Sequence, residues 1–127
     1  MTREVIRPPN VHPATGYSHA WKVGNTIYVA GQVAVDREGR LVGPGDFEAQ
    51  AVQVFENLKA VLEAAGAGLE HVVKTTVFLT HFAHRDKFRE VRARYFKEPF
   101  PASTLVFVES LAQPDWLIEV EAIAVVD

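Results

Sequence analysis

Cysteine is absent from this 127-residue chain, which removes disulfides, thiolate zinc sites and a cysteine nucleophile together. Its absence fits a reducing compartment. Excess charge of one sign is also missing. The formal net charge is −3 and no Lys/Arg run stands out, so little electrostatic attraction to nucleic acid or an anionic membrane is expected. No apolar run approaches the ~20 residues needed to cross a bilayer. The start, Met1-Thr2-Arg3-Glu4-Val5, lacks the basic-then-apolar order of a signal peptide. The expectation is a cytoplasmic protein with no nucleic-acid and no membrane partner. What is present is globular: 48% apolar and 23% charged residues argue against disorder. A chain of this length buries roughly two-thirds of its unfolded surface, enough for a core without staples. It fits one domain over residues 1–127.

Pro8, Pro9, Pro13 and Gly16 mark the first sixteen residues as an extended lead-in. Tyr17 to Val23 suits a strand, Gly24-Asn25 a two-residue turn, and Thr26 to Ala30 the returning strand of a hairpin. A polar, Gly-rich connection follows over 36–45, with a short strand at Leu41-Val42. From Asp46 to Ala65, Phe47, Ala51, Val54, Phe55, Leu58, Val61, Leu62 and Ala65 recur at helical spacing. Asp46 suits the N-cap, Glu48 the positive end of the dipole and Gly66 the stop. The opposite face, with Gln50, Gln53, Glu56, Lys59 and Glu63, reads as solvated. Val72 to Thr80 is β-branched and predicts a strand. A second helix is expected over Arg85 to Phe96, ended by Pro99 and Pro101. Strands are expected at Thr104 to Val108 and Leu117 to Val126. The order β-β-α-β-α-β-β gives an α+β domain, a mixed β-sheet with two helices on one face.

Alternation along the last strand sends Ile118, Val120, Ala122, Ala124 and Val126 to one face, under the helices. Leu117, Glu119, Glu121, Ile123 and Val125 take the other, a mixture of carboxylates and large aliphatics. A subunit interface or a cleft wall would cover those aliphatics; the alternative is a wet edge with scattered apolar groups. A glutamate on a cleft wall would have a raised pKa and could serve as general base or orient water. Against that stands a surface role, or pairing with a basic residue across an interface. Other constellations carry less. His81 and His84 have HxxH spacing but straddle a strand end and a loop with no third ligand, so no metal is expected. Ser18-His19 with Asp36 or Glu121 lacks a nucleophile elbow. Gly43-Pro44-Gly45 lacks the Lys-Ser/Thr of a phosphate loop and reads as turn residues.

A set of segments in one order resembles the Rid/YjgF family. Gly16-Tyr17-Ser18-His19-Ala20 is similar to its GPYS-A element without the proline, and Val29-Ala30-Gly31-Gln32 to its strand ending in Gly-Gln. Gln50, Asn57-Leu58 and Ala64-Ala65-Gly66 match its helix, and Val72 to Leu79 its central strand. Pro101-Ala102 opens its PAR-S signature, and Ile118-Glu119-Val120-Glu121-Ala122-Ile123-Ala124 matches its closing strand. The resemblance runs from about Gly16 to Val125. It implies a chorismate-mutase-like fold, a homotrimer, and small-molecule clefts between subunits. It also implies hydrolysis of reactive enamines and imines to 2-oxo acids and ammonia, with no cofactor. By resemblance Tyr17 lines the cleft, the Ala30-Gly31 backbone borders it, and Glu119 stands with the hydrolytic water.

Two positions depart from the family. Ser103 replaces the arginine that would grip a substrate carboxylate through two parallel hydrogen bonds. Losing such a charge-assisted pair costs on the order of 1.5–3 kcal/mol of binding. Arg92 stands where the second helix resembles one carrying asparagine; it is either a solvated helix residue or a cation entering the cleft from another wall. The residues therefore leave two functions open: a deaminase with altered substrate specificity, or a non-catalytic trimer that binds or scavenges small molecules in the inter-subunit cleft.

Overall fold

In the computed structural model, which describes residues 2–127, six strands join one mixed sheet. They are β1 (Arg3–Ile6), β2 (Ala20–Val23), β3 (Thr26–Gln32), β4 (Val72–Leu79), β5 (Ala102–Phe107) and β6 (Ile118–Val125). Their order across the sheet is β1-β2-β3-β6-β4-β5. Only β4 and β5 run parallel. The helices α1 (Phe47–Ala64) and α2 (Arg85–Arg92) pack on one face, which is the expected α+β arrangement.

Period-2 patterning explains the layering. Ile118, Val120, Ala122 and Ala124 are buried beneath the helices, while Glu119, Glu121, Ile123 and Val125 face outward. Val54, Leu58, Val61 and Leu62 of α1 close over them together with Ile27, Val77 and Leu79. Each such side chain contributes about 1.5–3 kcal/mol on full burial. Phe88 of α2 lies beside Phe55 of α1, ring centroids 6.1 Å apart, which ties the helices together. Asp46 caps α1, its carboxylate accepting from Ala49 N at 3.1 Å.

Four sequence expectations change. The lead-in contains a strand: β1 pairs antiparallel with β2, Val5 opposite Trp21. Pro8 and Pro9 follow β1, so they end it without denying it any donor. The strand expected from Tyr17 begins only at Ala20, because Tyr17 to His19 are drawn into a loop whose His19 C=O accepts from Ala30 N at 2.8 Å. The second helix stops at Arg92; beyond it the turns tighten, with Arg94 N bonding Val91 O and Tyr95 N bonding Arg92 O, and Phe96 still enters the core. Leu41 makes a single bridge to Val35 in place of a short strand.

Gln50 is a further correction, since it is fully buried on the face assigned to solvent. Its Nε2 donates to Gly43 O and Asp115 O, both at 3.1 Å, and its Oε1 accepts from Leu117 N at 2.9 Å. Asn57 is likewise buried, bonding Val33 O and Val35 O at 2.9 Å each. These amides tie α1 to the loops flanking β3 and β6, the strands that carry the first half of the candidate site.

Candidate functional site

The β3–β6 ladder is regular from Thr26 to Val29 and then slips, resuming at Gln32 opposite Val120. The irregularity sits at Ala30-Gly31, and bulges of this kind re-aim the neighbouring chain. Gly31 faces Glu119 so closely that a Cβ there would push the carboxylate aside. Glu119 is half-buried, and its pKa is raised, first by burial and then by Glu121 two residues along the same face. Tyr17 stands nearby: its hydroxyl is raised by partial burial and then by the field of Glu119.

A histidine pair holds Tyr17. His12 Nε2 lies 3.1 Å from the Tyr17 hydroxyl. His19 Nε2 donates to His12 O at 2.8 Å, and because a carbonyl can only accept, that nitrogen carries the proton. His19 Nδ1 is then an acceptor for Gln32 Nε2 at 3.2 Å, and Gln32 Nε2 also reaches Ala30 O at 3.1 Å. The bulge, His19, His12 and Tyr17 thus form one connected network around Glu119. Burial, and then His19, lower the pKa of His12 and favour its neutral form.

The second group lies on the helix side of β5. Ser103 pairs with Thr75 of β4, and the Thr75 hydroxyl donates to the Ser103 hydroxyl at 3.1 Å. Both line a cavity of about 300 Å³ shared with Arg89, Arg92, Phe96, Phe100 and Pro101. The Arg92 guanidinium sits 5.3 Å above the Phe88 ring, a contact that fixes its orientation. Ser103 and Arg92, the two departures noted in the sequence, therefore border one cavity.

The expected site residues fall into two sets. Tyr17, Ala30, Gly31 and Glu119 come together, as do Arg92 and Ser103. The sets are not joined. Ser103 and Ala122 both pair with Thr75, so Ser103 lies two strands across and three residues along from Glu119. At normal sheet spacing that is roughly 14 Å at the backbone, with the side chains on opposite faces. His81 and His84 belong to neither set: His81 Nδ1 accepts from Ala83 N at 3.0 Å, and His84 stacks on Phe47 at 4.5 Å. Ser18 has no part in the network that engages His19.

His12, Gln32 and Arg89 are contributors that sequence reasoning passed over. Arg85, Arg89 and Arg92 are spaced by four and three residues, which places them on one helix face, and that signal was readable. The contact of His12 with Tyr17 spans an irregular loop and has no periodic signature.

Comparison with known proteins agrees with the fold. The family described as Endoribonuclease L-PSP matches residues 8–126. The chain is 46% identical over 125 residues to a RutC family protein of Pyrococcus abyssi, covering 98% of each. It is 34% identical over 125 residues to a 2-iminobutanoate/2-iminopropanoate deaminase of Dermatophagoides farinae, covering 98% of this chain and 97% of the relative. The crystal structure of RidA from the Antarctic bacterium Psychrobacter sp. superposes with a TM-score of 0.91 at 40% identity, covering 97% of this chain and 99% of the other. With the mixed sheet, its helix layer and these matches over nearly the whole length, the chain belongs to the Rid/YjgF family.

Proposed function

We propose that the chain is a cofactor-independent hydrolytic deaminase of reactive enamines and imines, releasing an oxo compound and ammonia. The observation that carries this reading is Glu119: a carboxyl with raised pKa, wedged against Gly31 and beside Tyr17. A raised pKa makes its carboxylate a stronger base than that of an ordinary glutamate. Water adds to the carbon of the protonated imine while the Glu119 carboxylate takes one of its protons, giving a neutral carbinolamine. Glu119 returns that proton to nitrogen, the C–N bond breaks and ammonia leaves, and the hydroxyl passes its own proton to Glu119 as it becomes the carbonyl. Tyr17, held by His12, orients the polar end of the substrate.

The reading includes a homotrimer whose clefts lie between subunits, so that Glu119 and Tyr17 of one copy meet Ser103 of the partner subunit. Two features support it. The two residue sets are too far apart, and on opposite sheet faces, to hold one small molecule within a protomer. The outward face around Glu119 also exposes Trp21, Tyr28 and Val125, apolar surface that a second copy would cover.

The test is coupled release of ammonia and 2-oxo acid from imines generated in situ, in wild type beside Glu119→Gln and Ser103→Arg. Product from wild type that is lost in Glu119→Gln supports the enzyme. A second reading is favoured by one residue: Ser103, held by Thr75, offers a neutral hydroxyl where the resemblance places an arginine. On that reading the trimer binds small polar molecules without turning them over. Ligand-induced thermal stabilisation without product, and activity only in Ser103→Arg, would select it.

A further inference from the structure

Five cations from Arg85 to Arg94 sit on or just beyond α2, and they divide sharply. Lys87 lies 3.5 Å from Glu48, and Arg94 lies 2.7 Å from the same carboxylate. Arg85, Arg89 and Arg92 have no carboxylate within ion-pair distance among the described residues. All three border one cavity of about 420 Å³ with Ser103, Leu105 and Phe107. Arg89, Arg92 and Ser103 also line the adjoining cavity of about 300 Å³. Partial burial, and then the neighbouring Arg89, lower the pKa of Arg92. Like charges are therefore gathered at one recess without an internal counter-ion among the described residues, an arrangement that is unfavourable until an anion enters.

Spacing indicates the kind of anion. Along a helix, residues three and four apart are separated axially by about 4.5 and 6 Å. Arg89 and Arg92 offer two unpaired planar forks to one recess, and two carboxylates on a short carbon chain can each take one in bidentate fashion. We infer that this cleft takes small dicarboxylates, gripped by the Arg89–Arg92 face of α2. The inference rests on the deaminase reading for the chemistry, the substrate then being the imine of an acidic amino acid, but not for the binding.

The experiment is calorimetric titration of the full chain with 2-oxoglutarate, 2-oxobutanoate, inorganic phosphate and a short single-stranded RNA, repeated in Arg89→Gln and Arg92→Gln. Arg89 is exposed and unpaired, so Arg89→Gln keeps its melting temperature and reports on binding alone. The expected result is 2-oxoglutarate bound about tenfold or more tightly than 2-oxobutanoate, with the preference lost in either variant. Equal affinity for the two oxo acids overturns the inference, as does a preference that survives both substitutions. Tighter binding of phosphate or RNA than of 2-oxoglutarate also overturns it. The two readings separate cleanly. Dicarboxylate preference without ammonia release supports this inference and removes the enzyme. Turnover of a monocarboxylate imine with no dicarboxylate preference does the reverse.

Discussion

Gln50 provides a quantitative check on the packing behind the site. Its side chain is wholly buried and makes three hydrogen bonds to backbone groups: Gly43 O, Asp115 O and Leu117 N. Gln50→Met keeps the length and most of the volume, so little cavity forms and the lost hydrogen bonds dominate. Each backbone group left unpartnered in the interior costs about 1–3 kcal/mol. With three such groups and some relaxation of the loop, the expected loss is about 3–5 kcal/mol. For a domain of this size, between the 60–100- and 150–250-residue classes, that lowers the melting temperature by about 10–20 °C. The assay is thermal and urea unfolding at fixed protomer concentration, since self-association would make stability concentration-dependent. Lys59→Met on the exposed face of the same helix is the control and should stay within about 0.5 kcal/mol of wild type. A loss below about 1 kcal/mol in Gln50→Met would refute the reasoning, because it would mean that the backbone groups find other partners.

Two other predictions concern the chemistry. Glu119 has a folded-state pKa raised above its ordinary value of 4.5, so the native state binds its proton more readily than the unfolded state does. Folding then loses stability as pH rises through the raised value. Glu119→Gln should therefore melt higher than wild type at pH 8, with the gain fading as pH falls below 4.5; a gain independent of pH would contradict this. His12→Phe should lower turnover, because Tyr17 loses the partner 3.1 Å from its hydroxyl. Combined with Tyr17→Phe it should cost little more than either change alone. Full additivity in that cycle, read as kcat/KM, would show that the two residues act separately.

Much of the fold was legible because its signals are periodic. The stripe from Phe47 to Leu62 and the alternation from Ile118 to Val125 each report which side faces the core, and both agree with the structure. The failures share a cause: residue type was read without its partners. Pro8 and Pro9 made the N-terminus look irregular, although Arg3 to Ile6 precede them and pair with β2. Gln50 looked solvated because amides usually are, and what buries it is a loop 65 residues further on. The same limit applies to the site. The spacing of Ser103 and Arg92 along the chain carries no hint that they border one cavity, since that depends on where α2 crosses β5. Glu119, by contrast, drew attention on alternation alone, as a carboxylate among aliphatics.

The division of the candidate site links assembly to chemistry. In the protomer, Glu119 is half-buried, and desolvation already dominates its raised pKa. The outward face beside it holds Tyr28, Ile123 and Val125 in adjacent strands, with Tyr28 opposite Ile123. Covering this face with a second copy would remove apolar area from water at about 25 cal/mol per Å². The same cover would withdraw Glu119 further from solvent. Burial penalises the carboxylate more than the acid, so assembly would push this pKa higher and make the carboxylate a stronger base. The apolar surface that would drive association and the carboxyl proposed to move protons lie on one sheet face. One contact would then cover the apolar face and tune the acid together.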